Sequence, residues 1–242
     1  MPKNLDPNTY FENREDASIQ LIDALPIDLL IENKTVVIGV SEGGVYFADQ
    51  IAKKVNAKMD ILLTAPILAP NNEELAIAMI SETEEVVIHK ALTEAFGINE
   101  DYVYAEAHRK YEEEVLSYVY KYRKGRDLVS LKGKYVVLVD ECIETGLTMM
   151  VALKSVIERE AKNIYIATPI LDRAVYENLL SVCDGVVCPH KIQDYISIEY
   201  YYKNFEPLTF DEIEVIVEAQ MQEIRDENIK EKDIDKDNEI DE

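Results

Sequence analysis

The chain reads as an α/β protein built on a doubly wound parallel sheet. Short, almost wholly apolar runs of β-formers recur along it, as a strand buried on both faces requires. Each run is followed by a turn and then by apolar residues at helical spacing, and βα units of this length join parallel strands by right-handed crossovers. The third observation is the stretch Lys134 to Thr148, KYVVLVDECIETGLT, in which the strand Tyr135 to Val139 ends abruptly on Asp140 and Glu141. A buried strand cannot continue into paired carboxylates without a heavy desolvation cost, so this point marks an edge of the fold. In open α/β sheets, ligands sit at that edge.

In chain order, Phe11 to Leu25 is the first predicted helix, with Ala17, Leu21, Ala24 and Leu25 on one face and Pro26 ending it. Thr35 to Val40 is a strand, and Ser41-Glu42-Gly43-Gly44 turns it into a helix over Val45 to Val55. Met59 to Thr64 is the next strand. Asn99 caps a long helix whose first turn carries Glu100 and Asp101 and whose end carries Arg123 and Lys124 before Gly125. Its stripe of Val103, Ala107, Tyr111, Val115, Val119 and Tyr122 is a packing face. After the central stretch, Met149, Met150, Ala152, Leu153, Val156 and Ile157 share one helical face. Asn163 to Ile170 is a strand, Arg173 to Val182 a helix, and Gly185 to Cys188 a last short strand before Pro189-His190-Lys191. Residues 221–242 hold ten acids and four bases, which predicts a solvated helix end passing into a disordered tail.

With 48 acidic against 25 basic residues, the net charge is −23 over 242 residues. That balance argues against nucleic acid and anionic membranes as partners, because both need a positive footprint. No apolar run approaches the roughly 20 residues of a membrane span, and the opening MPKNLDPNTYFENRED lacks a signal-peptide layout, so a cytoplasmic location is expected. Cys142, Cys183 and Cys188 have no zinc-type spacing, and reduced thiols are expected.

The loop from Cys142 to Thr148 directs several donors at one place. Gly146 lets the backbone approach a ligand closely, while the Thr145 and Thr148 hydroxyls, the loop N–H groups around Leu147 and the following helix start suit an anion, above all a phosphate. Asp140 and Glu141 would repel that phosphate unless they served hydroxyls or a cation on another part of the same ligand. A ligand with hydroxyls or a bound Mg²⁺ beside a phosphate meets both demands.

The stretch VVLVDECIETGLT resembles the PRPP-binding motif of the type I phosphoribosyltransferases: an apolar strand, two acids, a short variable segment, then Thr-Gly-x-Thr. The resemblance covers about Phe11 to Phe210 and includes a Phe-x-Asn-Arg-x-x-Ala opening at Phe11, Asn13, Arg14 and Ala17. It implies the family's α/β fold with a small covering hood or helical insertion at about 69–130, in a domain spanning 1–220. Within the hood, Ala76 to His89 resembles the family's pair of short strands, turning at Ser81 to Glu85. It also implies that Asp140 and Glu141 hold the ribose hydroxyls of phosphoribosyl diphosphate (PRPP), that Thr145, Gly146, Leu147 and Thr148 cradle its 5′-phosphate, and that Glu42, Gly43 and Gly44 lie where its diphosphate binds. Mg²⁺ would arrive with PRPP. Glu144 occupies the place where relatives acting on hypoxanthine and guanine carry an acid proposed to handle a proton, so it is the candidate catalytic residue. Lys191, Tyr195 and Tyr200 are weaker candidates for contacts to the base.

Two positions depart from the pattern. Glu42 stands where the resembling group carries arginine, and Thr64-Ala65-Pro66 replaces a basic pair, so Mg²⁺ bridging Glu42, or Lys90, Arg109, Lys191 or a second subunit in a homodimer, would have to supply positive charge. Arg14 is expected to partner an acid. One reading is phosphoribosyl transfer from PRPP to a nitrogenous, purine-like base. The other is a domain that binds PRPP or a nucleoside monophosphate without transfer, as a regulatory module.

Overall fold

The structure, a computed structural model, describes residues 9–220 and 222. Helices α1 (Arg14–Ala24) and α2 (Ile27–Glu32) precede β1 (Val36–Gly39), α3 (Glu42–Val55) and β2 (Lys58–Ile61). A hairpin of β3 (Thr64–Ala69) and β4 (Asn72–Ser81) follows, with β5 (Val86–Ile88), α4 (Lys90–Ala95), α5 (Glu100–Lys110), a π-helical turn (Tyr111–Val115) and α6 (Leu116–Arg123). Then come β6 (Tyr135–Val139), β7 (Cys142–Ile143), α7 (Leu147–Glu158), β8 (Asn163–Ala167), β9 (Ile170–Asp172), α8 (Arg173–Leu180), β10 (Gly185–Val187) and β11 (His190–Ile192). A helix α9 over 210–220 closes the described chain.

The central sheet has the order β10-β8-β6-β1-β2, with every pair parallel. Its strands are apolar on both faces because both faces are covered. Val37, Val137 and Val139 pack with α1, α3 and Ile213 and Val217 of α9. Val36, Ile38, Val136 and Leu138 pack on the other side, with Met149, Ala152, Leu153 and Val156 of α7 and Leu179 of α8. The period-two alternation of strand side chains thus divides one buried sheet into two cores, and the doubly wound architecture follows.

The hood is a separate antiparallel sheet, β3-β4-β5, closed by the α5 face. Ala65, Ile67, Ile77, Ala78 and Ile80 bury against Val103, Ala107 and Val115, so the helix stripe is the packing face that its spacing predicts. The run Met59 to Thr64 is not one strand: β2 ends at Ile61, and Thr64 starts the first hood strand, which has Pro66 within it. The long helix from Asn99 is also interrupted, because its middle turn is π-helical. Arg123 is not a solvated helix-end cation. It is fully buried, paired with Asp60 at 3.7 Å and with Glu82, and it ties α6 to the ends of β2 and β4.

Two further differences have local causes. The run Asn163 to Ile170 is not one strand, because Pro169 lacks the N–H that a ladder needs. The central ladder ends at Ala167, and Ile170 starts β9 in a second parallel sheet, β11-β9-β7, at the carboxyl edge. Ile157 shares the helical face in projection, but at 52% exposure it lies beyond the rim of the core. The expected tail over 221–242 falls, apart from residue 222, outside the described residues.

Candidate functional site

The β6–α7 connection carries the central motif. Gly146 stands at the head of α7 with φ of 77°, a left-handed conformation, and no side chain caps the helix there. A Cβ at this position would also lie 2.5 Å from Val175 Cγ1. Glu144 and Thr145 are exposed at the tip, Thr148 is half-buried in the first helical turn, and Leu147 is turned into the protein, packing with Met79 and Val151. The Thr145 hydroxyl accepts a long bond of 3.4 Å from the Leu147 N–H. An uncapped N-terminus flanked by hydroxyls is a ready anion site.

The two acids are held differently from each other. Asp140 is buried, and its Oδ1 accepts from the Ser41 hydroxyl at 2.5 Å and from the Glu141 N–H at 2.8 Å. Burial pushes its carboxyl up to about 7, against the opposing pull of these donors. Glu141 pairs with Arg14, whose Nε donates to Oε1 at 2.7 Å and whose Nη2 lies 2.5 Å from the same oxygen. Burial raises this carboxyl too, partly offset by the guanidinium. Arg14 donates onward to the Glu206 carbonyl at 2.6 Å and faces the rings of Phe205 and Tyr46. Its expected acid partner is therefore Glu141.

Beside this edge, the β1–α3 turn is closed by the protein itself. Ser41 caps α3 by accepting from the Gly44 N–H at 2.9 Å, and Glu42 to Gly44 form the first helical turn instead of a loop. The glycine pair has a packing reason. A Cβ on Gly44 would lie 2.5 Å from the Val139 carbonyl oxygen, and one on Gly43 2.2 Å from the Glu141 carboxylate. Above the turn, a cleft of about 320 Å³ is lined by Ser41, Glu42, Thr64, Glu114, Tyr118 and Tyr122, among others, with Thr148 at its rim. The Tyr122 hydroxyl donates to Glu42, and the Tyr118 hydroxyl donates to Glu114 at 2.9 Å. Lys110 neutralises Glu114 from outside the lining.

The sequence-predicted residues Asp140, Glu141, Gly43, Gly44 and Glu42 thus meet at the carboxyl edge between β1 and β6, with Glu144 to Thr148 beside them. The cations considered as charge replacements do not line the cleft. Arg109 is held by Glu106 and Glu113 on the hood, and Lys191 is exposed over the Tyr176 ring. Tyr195 donates to Cys142 Sγ at 3.4 Å. Ser41, Glu114 and Tyr118 are members of the site that sequence reading missed. Ser41 had a legible signal as a helix cap next to a Gly-Gly turn, whereas Glu114 and Tyr118 reach the cleft only because the hood folds over it. Among the described residues, no group of three or more His, Cys, Asp or Glu is arranged to hold a metal. No helix among them is long and apolar enough to cross a membrane.

The parallel sheet, the hood and the glycine-containing loop beyond β6 define an α/β protein whose candidate site lies at the carboxyl edge of its strands. The family model described as the phosphoribosyl transferase domain matches residues 12–204, and the chain belongs to that family. A Mycobacterium tuberculosis protein provisionally named a phosphoribosyl transferase is 29% identical over 204 residues, which make up 84% of this chain. The same match covers only 45% of that protein, so this chain spans about half the length of the curated relatives it matches. A solved structure, the TT1426 protein of Thermus thermophilus, is 28% identical, covers 86% of this chain and 98% of its own, and superposes with a TM-score of 0.70.

Proposed function

We propose that the protein transfers a phosphoribosyl group from PRPP to a nitrogenous, purine-like base, releasing diphosphate. The single observation that supports this reading most is the uncapped start of α7 at Gly146, set beside two acids at the end of β6. In the transfer, the lone pair of a base nitrogen forms the bond to the anomeric carbon as the bond to diphosphate breaks, and the electron pair leaves with the diphosphate. The transition state is oxocarbenium-like, so catalysis rests on positioning and on charge placed around the ribose.

Each part of the chain has a role in this scheme. The α7 amides and the Thr145 and Thr148 hydroxyls hold the 5′-phosphate, and Gly146 and Leu147 shape the loop. Asp140 and Glu141 accept from the ribose hydroxyls, and Arg14 keeps Glu141 oriented and ionised. The Glu42-Gly43-Gly44 turn faces the leaving group, and Glu144, exposed at the tip of the loop, takes the proton that the attacking base loses. Mg²⁺ would arrive with PRPP and would supply charge that partly neutralises the diphosphate.

One observation favours a second reading, binding without transfer. Among the described residues, the cleft by the β1–α3 turn is lined by Glu42, by Glu114 with its Lys110 partner outside the lining, and by no cation, which opposes a diphosphate. Calorimetric titration with PRPP and Mg²⁺, set against ribose 5-phosphate and a nucleoside monophosphate, separates the two. PRPP binding that is abolished by Asp140→Asn with Glu141→Gln supports transfer. Binding of the monophosphate without PRPP excludes it.

A further inference from the structure

The Ser41 hydroxyl sits between two parts of the site that the chain separates by about a hundred residues, and it has only one proton. Its lone pair accepts the Gly44 N–H at 2.9 Å, and its proton points to Asp140 Oδ1 at 2.5 Å. The Glu141 N–H donates to the same oxygen at 2.8 Å, so both contacts favour the carboxylate as acceptor. The approach is close because residue 44 is glycine: a Cβ there would sit 3.1 Å from both Ser41 Oγ and Asp140 Cα. An ordinary helix cap needs the acceptor half of this arrangement alone.

We propose that Ser41 is a positioning residue, which caps α3 and at the same time orients Asp140 and holds it as a hydrogen-bond acceptor for the ligand's hydroxyls. The role toward the ligand rests on the proposed function; the hold on Asp140 does not. Ser41 acts on a carboxyl that burial places near neutrality, at about 7, where one donor changes the ionised fraction most. The Glu141 and Cys142 N–H groups also favour the carboxylate while the Glu141 charge opposes it, and Ser41 supplies the side-chain donor among them. Glu141 is paired with Arg14 from α1, Glu42 of α3 is bonded by Tyr122 of α6, and the Cys142 thiol, bonded by Tyr195, is pushed up to about 12 and stays neutral.

The test is carbon NMR of protein labelled at the aspartate carboxyls, with the Asp140 signal identified by its loss in Asp140→Asn. Ser41→Ala should raise the Asp140 midpoint by about one pH unit, since a donor to the charged form is lost. Ser41→Gly keeps a good helix cap without the hydroxyl and should show the same shift, while Ser41→Thr should restore the original midpoint. Binding of ribose 5-phosphate should weaken about fivefold at pH 7 in Ser41→Ala and recover by pH 9, because the ionised fraction falls by that factor. An unmoved midpoint in both Ser41→Ala and Ser41→Gly overturns the proposal, as does a loss of affinity equal at every pH, which is the mark of a cap alone. If wild-type protein binds neither ribose 5-phosphate nor PRPP, the proposed function fails, and the carboxyl titration still decides the role of Ser41.

Discussion

Two helices begin side by side at the carboxyl edge, and they begin in opposite ways. The N-terminus of α7 follows a left-handed glycine, has no side-chain cap and is flanked by exposed Thr145 and Glu144. The N-terminus of α3 is capped by Ser41, packed against Val139 and Glu141, and its first-turn acid is tied to the hood by Tyr122. Both follow a strand and contain glycine, yet one is open at its start and the other is filled by the protein. A Gly-rich turn after a strand therefore does not identify a ligand site by itself; what the free N–H groups already bond to decides it.

Substitutions can break or sharpen that contrast, and the largest effect is expected at Asp140, which joins the two ends. Its folded carboxyl titrates at about 7, against an unfolded value near 4. The stability that protonated Asp140 contributes is fully present below about pH 4 and is lost as pH rises through 7. Asp140→Asn should therefore match wild type near pH 4 and exceed it by roughly 4 kcal/mol at pH 8, while losing ligand binding. Denaturant melts at the two pH values check this, and parallel curves would show that Asp140 ionises freely. Next is Arg14→Ala, which strands Glu141 without its guanidinium and should cost about 3 kcal/mol at pH 7, less in acid. Urea midpoints of Arg14→Ala and of the double variant with Glu141→Gln measure this, since the second change should restore most of the loss.

The glycines come third. Gly44→Ala gains about 1 kcal/mol of helix propensity but meets a backbone oxygen that cannot move aside, for a net loss of about 2 kcal/mol. Gly146→Ala should cost a similar amount through its backbone conformation, and it alone should abolish ribose 5-phosphate binding directly at the loop. Thermal melts beside calorimetry separate these outcomes. Equal loss of binding in both variants would erase the distinction between the open and the closed helix start. Tyr122→Phe is the mildest, at about 1 kcal/mol, and it should change affinity for PRPP more than for ribose 5-phosphate because Glu42 borders only the cleft. Titrations with both ligands measure that ratio.

Much of the fold and part of the site are legible in the amino-acid order. The strand Tyr135 to Val139 matches its predicted bounds, the α5 stripe is a packing face, and Asn99 is the predicted cap. Such features are local: apolar period, cap chemistry and a breaker residue suffice to specify them. Arg123 and Glu114 show why the rest is not. Both lie in a stretch that reads as charged helix surface, and one is fully buried while the other lines the cleft, because the hood brings them against β2, β4 and the α3 turn.

By itself, the sequence determined that there are buried parallel strands, that the one at Tyr135 ends in two acids, and that a glycine-containing turn with two threonines follows. Each of those depends on neighbours within a few residues. Only the tertiary structure decided that Asp140 is buried under Ser41, that Glu141 belongs to Arg14, and that Gly43 and Gly44 are spaces for other atoms. The environment of a charge depends on every group within a few ångströms, and at this edge those groups come from the α1 opening, the β1–α3 turn and the hood, distant in the chain and adjacent only once it has folded.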